Sequence, residues 1–106
     1  MDLEVEVEGT KVKVKVKVKV DTGFQGELLV EKGIFDEIPA EPSDGPRICT
    51  ASMQCYETYV KLANVSGLGK EAVAEILYSP VIDKNIIGER LLEKLGLVVN
   101  YKEKLI

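Results

Sequence analysis

The sequence contains no histidine and only two cysteines among its 106 residues. Without histidine, the chain cannot form Ser-His or Cys-His nucleophile pairs or histidine-based zinc sites. Its two cysteines, Cys49 and Cys55, are too few for a disulfide scaffold or a four-cysteine metal site. Carboxylates are therefore the strongest candidates for carrying any chemistry, and we expect neither a metal nor another cofactor.

Long apolar segments and clustered positive charge are also missing. No run approaches the roughly 20 apolar residues of a membrane-spanning helix, and the first residues lack the apolar segment of a signal peptide. The net charge of −4 argues against nucleic-acid binding, which selects for positive charge. We therefore expect a cytoplasmic protein that binds neither membranes nor nucleic acid. Its 106 residues fit one domain, residues 1–106.

The clearest local pattern is the alternation in the first twenty residues. Residues 2–8 alternate acidic and apolar side chains, and residues 11–20 alternate lysine and valine, which predicts two strands with one buried face each. Gly9-Thr10 suits a type II′ turn, so we expect Glu8 to face Lys11 and Val7 to face Val12. The acidic row would then neutralise the lysine row, which favours a solvated face over a polyanion-binding surface.

The rest of the chain is predicted to be mostly strand. The predicted order is a short strand at 27–30, one helical turn within 31–38, an irregular connection at 39–47, a second hairpin at 48–62, a turn at 67–70, a strand at 72–78, a helix at 88–95 and a final strand at 97–101. Gly96 provides the stop signal of the helix. The tail, residues 102–106, is expected to extend the final strand, with pairing to the N-terminus of a partner as one possibility. The sequence thus predicts an all-β domain with one short helix.

Two short motifs are candidates for function. Asp21-Thr22-Gly23 follows the valine-rich strand, and Asn85-Ile86-Ile87-Gly88 follows a strand and opens the helix. Taken singly, the first motif is also compatible with an ordinary turn and the second with plain core. Together, and with the Leu91-Leu92 and Gly96 spacing that follows, they make the chain resemble the retropepsin-like aspartic proteases. The resemblance extends over about residues 3–101.

The resemblance implies a closed β-barrel of the acid-protease type, an obligate homodimer and aspartic endopeptidase activity. Because the chain holds one Asp-Thr-Gly motif, two chains are needed to bring Asp21 together with Asp21 of the partner subunit. Two adjacent carboxylates share one proton and activate a water molecule for attack on a peptide bond. Thr22 is then expected to hold the two loops rigid, and Gly23 to leave room for the substrate backbone.

The resemblance also suggests which residues contact a peptide substrate. Residues 48–62 fall where the family has its flap, a hairpin that closes over the substrate. The substrate-binding candidates are Phe24, Gln25, Ile48, Ser52, Met53, Gln54, Ile86 and Ile87. For the apolar members of this set, plain core is the alternative interpretation.

The chain departs from the family pattern at several positions. Viral members often have an alanine and an acidic residue after the triplet and an arginine after the later glycine, where this chain has Phe24, Gln25 and Glu89. The usual ion pair that supports the dimer is therefore not expected. The tip of the flap is not rich in glycine, which suggests a stiffer or shorter cover. These departures favour the alternative function, a catalytically inactive dimerisation or peptide-binding module.

The two cysteines lie on opposite arms of the predicted flap. If the turn spans residues 51–53, Cys49 and Cys55 are direct neighbours that could form a disulfide. A reducing cytoplasm favours the other interpretation, two buried free thiols.

Overall fold

The computed structural model describes residues 2–16, 24, 26–49, 53–97, 99–100 and 104–105. Eleven strands and two short helices lie within these residues. The strands are β1 (Asp2–Val7), β2 (Thr10–Val16), β3 (Leu28–Leu29), β4 (Ser43–Asp44), β5 (Ile48–Cys49), β6 (Cys55–Tyr56), β7 (Tyr59–Gly67), β8 (Lys70–Tyr78), β9 (Ile86–Ile87), β10 (Val99–Asn100) and β11 (Lys104–Leu105). The helices are α1 (Lys32–Glu37) and α2 (Glu89–Lys94).

Seven strands form one sheet that curls into a nearly closed barrel. The strand order is β1-β2-β9-β3-β8-β7-β4, and β1 also pairs with β7 through Glu6↔Ser66 and Val7↔Val65. Alternating residues of each long strand point into the barrel, so that Val5, Val12 and Val65 are almost fully buried. The all-β prediction is thus confirmed, with the difference that the described residues contain two short helices instead of one.

The first hairpin forms as predicted, but in a different register. Val5 lies opposite Val12 and Glu6 lies opposite Lys11, because the turn is made by Glu8-Gly9 and not by Gly9-Thr10. Glu8 and Gly9 have φ angles of 40° and 90°, the two positive values that a type I′ turn requires. A shift of two residues keeps the same faces buried and still sets acidic residues opposite lysines, with Glu8 now in the turn and Val7 opposite Thr10. The alternation alone therefore could not decide the register.

Contacts with β7 hold this turn in place. The N–H of Asn64 donates a hydrogen bond of 2.9 Å to Oε1 of Glu8, and the N–H of Glu8 donates one of 3.1 Å to the carbonyl of Asn64. These two bonds offset the strain of a positive φ at a residue that is not glycine. The same pair of contacts completes the closure of the barrel between β1 and β7.

The two helices cover the barrel beside β8. Leu91 and Leu92 of α2 and Phe35 of α1 are buried in the main core. Lys61 of β7 is buried under the end of α1, where its Nζ donates to the carbonyl oxygens of Phe35 and Ile38. Each helix in the described part of the chain has six residues, far below the roughly 20 that cross a bilayer.

The predictions for the second hairpin and for the tail need correction. The predicted hairpin at 48–62 is divided, because β5 and β6 form a small sheet of their own and Tyr59 already begins the long strand β7. At the C-terminus, β11 folds back onto β10 through Val99↔Leu105 and Asn100↔Lys104. The tail therefore forms a hairpin instead of extending the final strand. In contrast, the strand predicted at 72–78 and the helix predicted at 88–95 are confirmed.

Candidate active site

The two strands that flank Asp21-Thr22-Gly23 in sequence pair with the two edges of β9. The strand that leads towards Asp21, β2, pairs with β9 in parallel through Lys15↔Ile86 and Val16↔Ile87. The strand that follows the triplet, β3, pairs with the other edge of β9 in antiparallel orientation through Leu28↔Ile87 and Leu29↔Ile86. Strand β9 is thus held between the two strands that flank the triplet in sequence. This pairing places Ile86 and Ile87 between Lys15-Val16, which precede the first motif in sequence, and Leu28-Leu29, which follow it; Asp21, Thr22 and Gly23 themselves lie outside the described residues.

A close backbone contact joins Gly88, the last residue of the second motif, to Gly26 and Glu27, which follow the first motif in sequence. The N–H of Gly88 donates a hydrogen bond of 2.9 Å to the carbonyl of Glu27. A Cβ atom at Gly88 would overlap the carbonyl oxygen of Gly26, and one at Gly26 would lie 2.7 Å from Cδ1 of Leu77. Gly88 is therefore required by the close approach of the backbone at Gly26, whereas a side chain at Gly26 would require the side chains of Phe24 and Leu77 to move.

An apolar cluster lies apart from the main core and includes three of the predicted substrate-binding residues. Phe24, Ile48 and Ile86 come from three separate segments of the chain and pack into this cluster. We call it the second apolar cluster; its members are Phe24, Leu29, Ile48, Val60, Leu77, Ile82 and Ile86. Sequence analysis did not identify Leu29, Val60, Leu77 and Ile82, because their apolar character is equally typical of the main core.

The other described candidates lie elsewhere. Ile87 is fully buried in the main core, so the alternative interpretation of this residue as core describes its position in the structure. Met53 is 87% exposed and has a φ of 66°. Gln54 is exposed as well, and its Oε1 accepts a hydrogen bond of 2.8 Å from the hydroxyl of Tyr56. The remaining candidates, Asp21, Thr22, Gly23, Gln25 and Ser52, lie outside the described residues.

A disulfide bond joins the two arms of the hairpin β5–β6. Cys49 and Cys55 are direct partners in the ladder, with Cα atoms 4.0 Å apart, and their sulfur atoms are bonded. Both residues are exposed. The interpretation of the cysteines as buried free thiols is therefore wrong, and the alternative, that neighbouring positions would allow a bridge, describes the structure. Strand pairing across a short turn provides this proximity.

An ion pair between the buried Glu27 and the exposed Lys94 connects the segment after the triplet to α2. The side chain of Glu27 is 1% exposed, and its Oε2 lies 2.7 Å from Nζ of Lys94. Oε2 has no directed hydrogen bond among the described residues, so the positive charge of Lys94 is what compensates it there. Oε1 of the same carboxylate accepts a hydrogen bond of 2.9 Å from the N–H of Glu75. The sequence analysis missed this pair, although one charged residue directly before the apolar Leu28-Leu29-Val30 was a signal for it.

Asn85, the first residue of the second motif, has a structural contact of its own. Its Oδ1 accepts a hydrogen bond of 3.0 Å from the N–H of Glu31, which precedes α1. The asparagine thus satisfies one of the free N–H groups at the beginning of that helix. The motif consequently contacts both the segment after β3 and, through Gly88, the beginning of α2.

Solved structures share this architecture. The chain is similar to the structure described as EIAV protease complexed with the inhibitor HBY-793, with a TM-score of 0.71 and 17% sequence identity over 91% of this chain and 88% of that chain. A likeness at this level of identity establishes the fold, which is retropepsin-like. No protein-family model and no curated protein matches the chain.

Proposed function

We propose that this chain with a retropepsin-like fold is one subunit of a homodimeric aspartic endopeptidase, with Asp21 as the catalytic residue of each subunit. The observation that carries the proposal is the pairing of β9 with both β2 and β3. It supports the proposal because the strands before and after Asp21-Thr22-Gly23 in sequence lie on either side of Ile86-Ile87. The similarity of the fold to that of EIAV protease supports the same proposal.

The proposed mechanism uses two aspartates and one water molecule. In the dimer, Asp21 lies beside Asp21 of the partner subunit, and the repulsion between two negative charges leaves one proton shared by the pair. The ionised carboxylate removes a proton from the water, whose oxygen attacks the carbonyl carbon of the peptide bond. The protonated carboxyl donates its proton to the carbonyl oxygen, and a proton is then returned to the leaving nitrogen as the intermediate collapses.

The substrate is proposed to be an extended peptide with apolar side chains next to the cleaved bond. The second apolar cluster supplies Phe24 and Ile86 as one wall, and the hairpin β5–β6, which contributes Ile48 to the same cluster, would cover the peptide. An extended peptide would add main-chain hydrogen bonds to this hairpin. Of the polar candidates, Gln25, Ser52 and Gln54 are proposed to contact the peptide main chain.

A second candidate function is an inactive dimerisation or peptide-binding module. The disulfide between Cys49 and Cys55 favours it, because a bridged hairpin has fewer ways to open for substrate entry. Glu89 and Gln25 favour it as well, since they cannot form the ion pair seen in related viral enzymes. Against this alternative stands the complete Asp-Thr-Gly motif, because a binding module gains nothing from two adjacent like charges. The cytoplasmic location expected from the sequence stays a prediction.

The proposal is tested by mass in solution together with cleavage of an unstructured protein between pH 3 and 7. The wild-type protein is expected to be a dimer that cleaves this substrate. Asp21→Asn should keep the dimer and lose at least about a thousandfold in kcat, because the dyad loses its base. Inhibition of the wild type by a statine-type transition-state mimic is the matched control for an aspartic mechanism.

Three results would decide against the peptidase. A monomer at all concentrations would remove the dyad, and unchanged cleavage by Asp21→Asn would assign the activity to other residues. A dimer that neither cleaves nor binds the statine-type inhibitor would favour the binding module.

A further inference from the structure

The carboxylate of Glu27 is the only buried acidic side chain in the described part of the chain. It contacts two different elements at once, since Oε1 accepts from the N–H of Glu75 in β8 and Oε2 pairs with Lys94 of α2. Its own carbonyl accepts from the N–H of Gly88, directly before α2. Glu27 is therefore the point where the segment after Asp21-Thr22-Gly23 is attached to both β8 and α2.

The ion pair compensates for the shortness of β3. This strand has two residues, whereas its neighbour β8 has nine, so part of the edge of β8 has no strand partner in β3. Side chains satisfy that part: Glu27 accepts from the N–H of Glu75, and Nζ of Lys94 donates a hydrogen bond of 3.2 Å to the carbonyl of Val73. The pair thus continues the hydrogen bonding along β8 at the residue directly before β3.

Stability alone is a poor explanation for this arrangement. Burying the carboxylate of Glu27 costs free energy, and the attraction to Lys94 is screened because that side chain is 46% exposed to solvent. The charged pair instead fixes the orientation of the Glu27 carboxylate. A carboxylate held by an N–H on one oxygen and by an ammonium group on the other cannot rotate freely.

We infer that Glu27 and Lys94 are positioning residues of the proposed active site. They fix Glu27, and with it the backbone that follows Asp21-Thr22-Gly23 in sequence, against Gly88 and β8, and this anchoring is what catalysis by Asp21 would require. This role rests on the proposed aspartic peptidase activity. Neither residue touches the substrate: the carboxylate is buried, and Lys94 lies on α2 with its charge directed to Glu27 and Val73.

The test compares Glu27→Gln, Lys94→Gln and Lys94→Arg with the wild-type dimer. Glu27→Gln keeps an oxygen for the N–H of Glu75 but removes the charge, and Lys94→Gln removes the opposite charge. Both should lower kcat by roughly tenfold to a hundredfold with KM and dimer mass little changed, since small displacements of a catalytic group have effects of this size. Lys94→Arg keeps the positive charge at this position and should therefore keep most of the wild-type kcat.

The matched control is Lys32→Gln, which breaks the exposed pair of Lys32 and Asp36 on α1. There Nζ lies 2.8 Å from Oδ2, and the hydrogen bond and charge of Asp36 raise the pKa of Lys32. Exposed pairs of this kind contribute little, so this variant should keep the kcat of the wild type. The inference is overturned if Glu27→Gln also keeps the kcat of the wild type. It is overturned as well if the loss of kcat in Glu27→Gln disappears on cooling well below the unfolding temperature of that variant.

Hydrogen exchange separates this inference from the proposed activity. In Glu27→Gln, the amide of Gly88 should exchange faster, while the amides of the hairpin β1–β2 keep their rates. A wild type without peptidase activity would overturn the proposed function and, with it, the catalytic role of the pair. Unchanged exchange at Gly88 would overturn the positioning role even in an active enzyme.

Discussion

The hairpins β1–β2 and β5–β6 are stabilised in different ways. The first has six paired positions, and its apolar residues form one wall of the main core. The second has two paired positions, Ile48↔Tyr56 and Cys49↔Cys55, and forms a separate sheet. Of its four paired residues only Ile48 is buried. Burial thus stabilises the first hairpin, whereas a covalent bond joins the arms of the second.

This difference matches the roles that we propose for the two hairpins. A barrel wall must keep its shape, and a buried face on one side of each strand ensures that. A hairpin over a peptide-binding site must instead stay exposed on the surface that faces the substrate, so it has little area left for the core. A short two-stranded hairpin is marginal in water by itself, and the bond between Cys49 and Cys55 removes that weakness.

The largest effect is expected from Leu3→Ala in β1. Leu3 is 5% exposed and packs in the main core, so its truncation should lower the free energy of unfolding by about 3 kcal/mol. Urea unfolding followed by circular dichroism measures this. The control is Glu4→Ala on the outer face of the same strand, which should stay within about 0.5 kcal/mol of the wild type. Equal effects at the two positions would show that the hairpin is not stabilised by burial.

The contrast also explains how much of the fold the sequence could predict. Alternation over the first twenty residues defines the faces of β1 and β2, and the apolar spacing of Leu91, Leu92 and Leu95 defines the buried side of α2. These are periodic patterns within one element. The register of the first hairpin is different, because Glu6 can face either Lys11 or Lys13 at equal benefit, and the contacts of Glu8 with Asn64 in β7 help hold the turn at Glu8-Gly9.

The candidate site was predictable to a similar degree. The sequence motifs indicated Asp21 and the residues of β9, and the resemblance indicated that they belong together. The role of Glu27 could not be derived from periodicity, since it depends on an N–H of β8 and an ammonium of α2, both distant in sequence. The sequence indicated that Cys49 and Cys55 could lie next to each other. Whether a disulfide then forms between them depends on the redox surroundings.

A smaller and more local effect is expected from the double variant Cys49→Ser/Cys55→Ser. Because the disulfide closes only a short loop, its removal should lower the free energy of unfolding by at most about 2 kcal/mol. Hydrogen exchange should increase across β5–β6 while β7 and β8 keep their protection, because the hairpin can open without disturbing the barrel. A reducing agent added to the wild type should have the same result. Loss of protection throughout the barrel would contradict the separation of the two hairpins.

The smallest effect is expected from Gly9→Ala in the turn of the first hairpin. Gly9 has a φ of 90° and no atom near the position of a Cβ, so the cost is that of the backbone conformation alone, about 1 kcal/mol. Gly33→Ala is the matched control, because Gly33 lies within α1, also in open space, without a positive φ. In α1, Gly33→Ala should raise the free energy of unfolding by up to about 1 kcal/mol. Since the six paired positions and their buried face remain, Gly9→Ala should weaken the hairpin without changing its register. An NMR spectrum with cross-strand contacts between Glu6 and Lys13 would instead show that the turn, and not the packing against β7, selects the register.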